Sequence, residues 1–566
     1  MSEMDTRTRR LPLLPALGLV VMSALIILPA TRWLVVQQFS MVFSPPAAMR
    51  TLLSDLGVKD DIAQGGKSSA DSDAEQNVVS RHSDDLGLQI AFAETNSGPA
   101  DQTVIRLRAL VPHFPESPAL NATVLRYMCM SQVKVDRDEE YLFTGDKPPN
   151  RPAGARVRVS DAYDTFDQLA AKGERLDPDN GFFPAIRAIG LFGRNMDIDG
   201  LAALDRASGK PRFEEYLSLE ARGRWRLSEG AYGRRGAFSK IAVYAAILFP
   251  HYAKLRSAVR MAMFLAVEAE KAGRKEEGLA IRHSLMKLGS LLRSEAQPGI
   301  GSLVGIALSA ISMGRPGGEP MLKSNAGISG EQSAHQRIDR YCDYLERIGR
   351  PDEAKWVRSQ AKADALAREI IKKGMDLSPM AGKPIANLMM HWGACILLLT
   401  DIFWLTLMAV LSLLLARTRA ASGIIPVLVP MVLFAGLVAF TWNARATEMF
   451  ATYGFVIDNL TSGSNSPPKF SLPPAVIRVV TVVAGLLVPL LVIIAGLVVK
   501  YSRKVSLSKA LAATALPVVC LLVLLYCGEV VITMNQERKV DAGLDRMVQH
   551  EGPYLAEMLG RRWPGR

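Results

Sequence analysis

An all-α membrane protein is the fold class this sequence predicts, with an N-terminal membrane anchor, a large soluble helical domain and a C-terminal four-helix transmembrane bundle. Three observations predict it. Five apolar stretches are each long enough to cross a bilayer, which takes about 20 apolar residues in a helix. Between the first and second of them lies a polar region of about 350 residues, where Ala and Leu recur at three- and four-residue spacing and β-branched alternation is scarce. Mean hydropathy is positive, +0.14, although 22% of residues are charged, so apolar and charged residues are segregated along the chain. A hydrophobic content of 49% excludes a disordered chain, and five Cys in 566 residues are too few for a disulfide scaffold.

The first stretch, Leu11 to Ala30, follows Arg7, Arg9 and Arg10. That layout is shared with a secretory signal, but the apolar run exceeds the ~7–15 residues of a signal core. An uncleaved signal anchor is therefore expected within residues 1–36. Residues 37–86 are expected to be a flexible linker, because 58–85 are rich in Gly, Ser and Asp. Folded structure is expected to begin near Gly87 and to run to 386. The spans Met389 to Leu415 and Ile424 to Trp442 follow within 387–443, and 444–474 form a loop. The spans Ala475 to Val499 and Ala510 to Met534 fill 475–534, and 535–566 read as a C-terminal tail.

Lys and Arg near the spans set the orientation, because cytoplasmic loops carry the excess. With the N-terminus inside, segments 1–10, 416–421 and 500–509 hold nine basic residues in 26 positions. The outer flanks 32–46, 373–387, 444–474 and 535–549 hold eight in 76. Trp33, Trp392 and Trp442 then fall at the outer interface, where aromatic belts form. The expected placement is a multi-pass protein of the cytoplasmic membrane, with the N-terminus inside and the large domain and C-terminus outside. Much of the net charge of +12 is thus a topology signal. An exported domain leaves no role for nucleic acid.

Within the large domain, Lys254 to Arg293 reads as two amphipathic helices broken at Gly273, with Arg274-Lys275-Glu276-Glu277 opening the second. A second hairpin runs from about Gln336 to Lys372, broken at Gly349, and Pro351 suits the first helical position after the break. A third, Phe182 to Ala207, follows Leu176-Asp177-Pro178-Asp179-Asn180. A fourth pairs Val104–Pro112 with Pro118–Met130. These hairpins resemble tetratricopeptide repeats. Ala266, Gly273 and Leu285 fit the small or apolar packing positions of such a unit, as do Gly349, Ala354 and Ala361. Their spacing is irregular rather than a steady 34 residues. The resemblance implies stacked helix pairs with an extended face that takes peptides or proteins. It therefore implies a scaffold for protein–protein interaction or assembly.

Residue patterns that would carry catalysis are missing. The sequence has no His-Glu-x-x-His, Cys-x-x-Cys, phosphate-loop or Gly-x-Ser-x-Gly motif, so no catalytic residue, cofactor or metal is expected. Gly299-Ile300-Gly301 reads as part of a Gly-rich apolar helix or loop. Cys129 and Cys342 read as buried free thiols, and Cys395, Cys520 and Cys527 as small apolar residues of the spans. Arg222, Arg224, Arg226, Arg234 and Arg235 form the densest basic patch, a candidate for an anionic surface or a solvated helix face. Ionisable residues inside a membrane are costly and face a bundle interior or water. Asp401 lies near mid-span, with Glu529, Arg478 and His391 nearer the outer end. They offer either a proton- or ion-linked path or ties between helices. A transporter or channel component is therefore the alternative reading, and a membrane-embedded enzyme a more distant one. The bilayer and a protein partner on the helical hairpins are the expected partners.

Overall fold

The computed structural model describes residues 27–28, 31–36, 38, 69–95, 100–135, 160–234, 236–245, 247–318, 330–375, 382–416 and 474–565. These residues are mostly helical and include no strand, only an isolated bridge between Asn180 and Arg212. The expected first span and the span 424–442 lie outside the described residues, apart from Ile27 and Leu28. The chain divides into two compact units. One comprises Met1–Ser68, Arg234–Ala237 and Asp376–Gly543; the other comprises Ser69–Gly233, Phe238–Met375 and Leu544–Arg566.

The second, helical unit begins with α1 (Ser69–Arg81), α2 (Leu86–Thr95), α3 (Ala100–Leu110) and α4 (Pro118–Ser131). It continues through α5 (Asp161–Leu176), α6 (Phe182–Gly193), α7 (Asp197–Ser208), α8 (Leu217–Tyr232) and α9 (Ala237–Ala245). Then come α10 (Pro250–Lys271), α11 (Lys275–Glu295), α12 (Gly299–Ser312), α13 (Gly330–Arg347) and α14 (Pro351–Met375). The helices of the other unit are α15 (Gly382–Ala416), α16 (Pro474–Arg503) and α17 (Leu507–Gln549), and α18 (Glu551–Met558) returns to the helical unit.

Helical hairpins organise the helical unit, and their turns share one geometry. Gly273 (φ +83°) separates α10 from α11, and Gly349 (φ +82°) separates α13 from α14. Both take the left-handed conformation that glycine adopts without steric cost. After each, an arginine N–H closes the helix end: Arg274 N donates to Ala269 O at 2.9 Å and Arg350 N to Leu345 O at 2.8 Å. Asn195 (φ +67°) does the same between α6 and α7, where Met196 N donates to Leu191 O at 2.9 Å. Arg274 and Arg350 each bond the glutamate three residues on, Glu277 and Glu353, and Arg350 also pairs with Glu276 of the earlier turn.

The junction before α6 is held by Asn180, which is buried. Its Oδ1 accepts from Phe182 N at 3.0 Å and Glu214 N at 2.9 Å, and its Nδ2 donates to Glu214 O at 2.8 Å and Asp177 at 3.1 Å. The core of the unit runs through Leu120, Phe166, Phe183, Phe192, Leu255, Ala262, Leu288 and Leu292. Helix α10 is central and packs on α4, α6, α7, α11 and α12. Helix α8 turns back onto α1 and α2. In a plain repeat stack each unit touches only its neighbours; these longer-range packings depart from that pattern.

Two expected boundaries are corrected. Residues 69–81, placed in the linker, form α1, so helical structure is present ahead of Gly87. Val79 joins Leu88, Ala91 and Leu227 in a small core that this otherwise polar segment closes. Residues 544–566 are not a tail. Leu555 and Ala556 pack with Ile370 of α14, and Trp563 borders the same cluster.

Among the described residues three stretches are long and apolar enough to cross a membrane: Met390–Leu415, Leu486–Arg503 and Leu507–Gln549. Leu405, Met408 and Ala409 of α15, Val492 of α16, and Ala515 and Leu522 of α17 share one core. Lys504 (φ +52°) marks the turn between α16 and α17.

Candidate functional site

Polar side chains of the membrane unit gather in one place. His391 and Cys395 lie one turn apart on α15. Tyr526, Glu529, Thr533 and Glu537 recur every three or four residues on α17, so they too share a face. Between these rows the His391 ring bonds the Glu529 carboxylate through Nδ1. Cys395 Sγ lies 3.5 Å from Thr533 Oγ1. The Thr533 hydroxyl is already donated to Glu529 O at 2.8 Å, which leaves the thiol as donor. Trp392 Nε1 donates to Glu537 Oε1 at 2.8 Å, and the other oxygen of Glu537 accepts from Ala237 N at 2.7 Å. Tyr526 donates to Gln38 Oε1 at 2.6 Å, and Gln38 is fully buried. The result is a polar knot between apolar helices.

Of the residues singled out from sequence, the structure therefore brings His391 and Glu529 together. Asp401 is not with them. It sits ten residues further along α15, or ~15 Å at a rise of ~1.5 Å per residue. It is buried, and its Oδ1 has no hydrogen-bond partner. The side chain of Arg478 lies outside the described residues. Sequence reasoning missed Gln38, Trp392, Cys395, Tyr526, Thr533 and Glu537 as members of the knot. The available signal was the three- and four-residue recurrence of polar side chains at 526, 529, 533 and 537.

Each described arginine of the expected basic patch lies near a carboxylate. Arg224 is largely buried and bonds Glu94 at 2.9 Å and Glu220 at 2.8 Å. Arg226 pairs with Asp85, and Arg222 lies 3.7 Å from Asp545. Arg234 lies 3.9 Å from Asp541, with its guanidinium 5.0 Å from the centre of the Trp33 ring. Arg235 lies outside the described residues. Successive residues of a helix point in different directions, so arginines adjacent in sequence reach separate carboxylates.

Arg224 belongs to a buried charge network in the helical unit. Arg126 of α4 pairs with Glu220 of α8, both almost fully enclosed. Burial, with the Glu220 carboxylate beside it, pushes the Glu94 carboxyl up to about 8. The arginines hold Glu220 below its ordinary range. Close by, Glu215 bonds the His251 ring and accepts from Tyr252 at 2.7 Å. Burial lowers His251, which favours the neutral ring. These groups tie α2, α4, α8 and α10 together and have no exposed reactive atom.

The Gly299 segment opens α12, and its N-terminus is occupied from within the chain. Gly299 N donates to Glu551 Oε2 at 2.7 Å, while Glu551 N donates to Gln297 O at 2.8 Å. A carboxylate there satisfies a free helix N–H and meets the positive end of the helix dipole. Cys129 and Cys342 are buried free thiols. No group of three or more His, Cys, Asp or Glu among the described residues is arranged to hold a metal. Comparison with protein families, curated proteins and solved structures finds no match.

Proposed function

We propose that this chain is a multi-pass protein of the cytoplasmic membrane whose TPR-like helical unit, on the non-cytoplasmic side, holds a protein partner or assembly at the membrane. One observation carries the reading. The hairpins α10–α11 and α13–α14 share the same turn geometry and are linked turn to turn by Arg350 and Glu276. Stacked hairpins of this kind present extended surfaces suited to peptides and proteins. The orientation is supported by the density of Lys and Arg in segments 1–10, 416–421 and 500–509. It is also supported by the packing of Leu544–Arg566 in one compact unit with Ser69–Gly233, which requires both on one side. The reading assigns the chain no catalytic step.

Cross-linking the full chain in its native membrane, followed by purification and mapping of the cross-links, tests this. The expected result is a defined protein joined to residues within 86–375. Arg350→Glu, which places like charges at the paired turns, should reduce its capture. Cross-links confined to α15–α17, or only between copies of the chain, would sink the scaffold reading.

A further inference from the structure

The polar knot of the membrane unit is not used by a scaffold. Its centre is a histidine–carboxylate contact, His391 to Glu529, between two helices that are each long and apolar enough to cross a membrane. Such groups are costly inside a membrane and are retained where they pair or carry charge. The two are also the accessible members of the knot. Their side chains are 16% and 19% exposed, whereas Tyr526 and Thr533 beside them are fully buried. Imidazole is the side chain whose ordinary ionisation falls between pH 5 and 8.

We propose that His391 and Glu529 form a proton-binding site that takes up and releases one proton near neutral pH. With the proton bound, an imidazolium faces a carboxylate, the pair is neutral, and the contact is a charge-assisted bond between α15 and α17. With the proton released to water, a neutral ring faces a carboxylate. The pair then carries one negative charge and the bond weakens. The titratable groups around the pair are Cys395 on the same helix and Tyr526 and Glu537 on α17. From the segment around residues 31–38, Gln38 accepts from Tyr526. Asp541 and Arg234, one turn beyond Glu537, lie 3.9 Å apart and offset one another. Glu537 is held by hydrogen bonds from Trp392 and Ala237. The proton is assigned to the pair because imidazole is the group among these whose ordinary ionisation falls in this range.

The test is a histidine-resolved NMR titration of the full chain in lipid nanodiscs from pH 9 to pH 5, with proton uptake measured in parallel. The His391 signal is identified as the one absent from His391→Gln. It should titrate within this range, and wild type should take up about one proton more per chain than His391→Gln. In Glu529→Gln the His391 midpoint should fall by at least one pH unit, because the carboxylate that favours the charged ring is gone. If His391→Gln does not fold, Glu529→Gln retains a bonding partner for the ring and gives the same comparison through its shifted midpoint. A ring that keeps one protonation state from pH 9 to pH 5 overturns the proposal and leaves a structural tie. A midpoint unchanged by Glu529→Gln overturns it as well.

Discussion

Glu94 shows how a buried residue sets the pH response of the helical unit. Its carboxyl is pushed up to about 8 by burial and by Glu220, against an ordinary value of 4.5. An acid whose folded pKa lies above its unfolded value binds its proton more tightly when folded. Unfolding therefore releases that proton between these two values, and this contribution to stability is lost as pH rises from about 4.5 to about 8. Glu551 and Asp364, also raised by burial, act in the same direction, so the comparison must be made against a variant. Thermal unfolding of the full chain in detergent at pH 5 and pH 8.5 should show a smaller loss for Glu94→Gln than for wild type. Equal losses would mean that Glu94 ionises normally in the folded protein. The neighbouring pair behaves differently. Arg126→Met would leave the buried Glu220 carboxylate to Arg224 alone, and removing one partner of a buried pair costs roughly 3–5 kcal/mol.

At the scale of elements, the turns are where sequence and structure agree most closely. Gly273 and Gly349 were readable as breaks because a glycine followed by Arg and an acidic pair ends one amphipathic helix and begins the next. Both prove to be left-handed helix ends. Gly349→Ala places a Cβ in that conformation, which costs an L-residue roughly 1–2 kcal/mol. Gly349→Asn should cost less, because Asn tolerates the region and already occupies it at Asn195. Chemical unfolding of the two variants should show that order, and the reverse order would mean the turn had rearranged. What escaped the sequence has a physical reason too. Helix α1 carries only Val78 and Val79 as large apolar residues in a run rich in Ser, Asp and Ala. Its helicity is fixed by packing on α2 and α8, which no local pattern reveals. The arginines from 222 to 226 read as a patch because their carboxylate partners, Asp85, Glu94 and Asp545, are distant in sequence. The knot around Cys395 was half legible. Intramembrane charge marked His391 and Glu529, but Gln38 reaches Tyr526 beside them from the other end of the chain.

At the scale of the whole molecule, the C-terminal residues constrain how the chain threads the membrane. Glu551 caps α12, Arg293 Nη2 donates to Gly565 O at 2.8 Å, and Arg561 pairs with Glu369 of α14 at 2.9 Å. Residues 544–566 are thus built into the helical unit, and Glu551→Ala, which removes the cap of α12, should lower its stability by about 1 kcal/mol. Because those residues and α1–α14 share one unit, they must lie on the same side of the bilayer. In the proposed topology α17 crosses the bilayer, with Lys500, Arg503, Lys504 and Lys509 on the opposite face, where basic residues are favoured. Single cysteines at Lys355, Lys504 and Arg562, in a chain whose native cysteines are replaced, make this measurable with a membrane-impermeant thiol reagent. Positions 355 and 562 should label together from the outer side of sealed vesicles. Position 504 should label only once the membrane is opened. Labelling of 504 together with 562 would mean that α17 does not span the bilayer, and the basic segment 500–509 would lose its meaning as a topology signal.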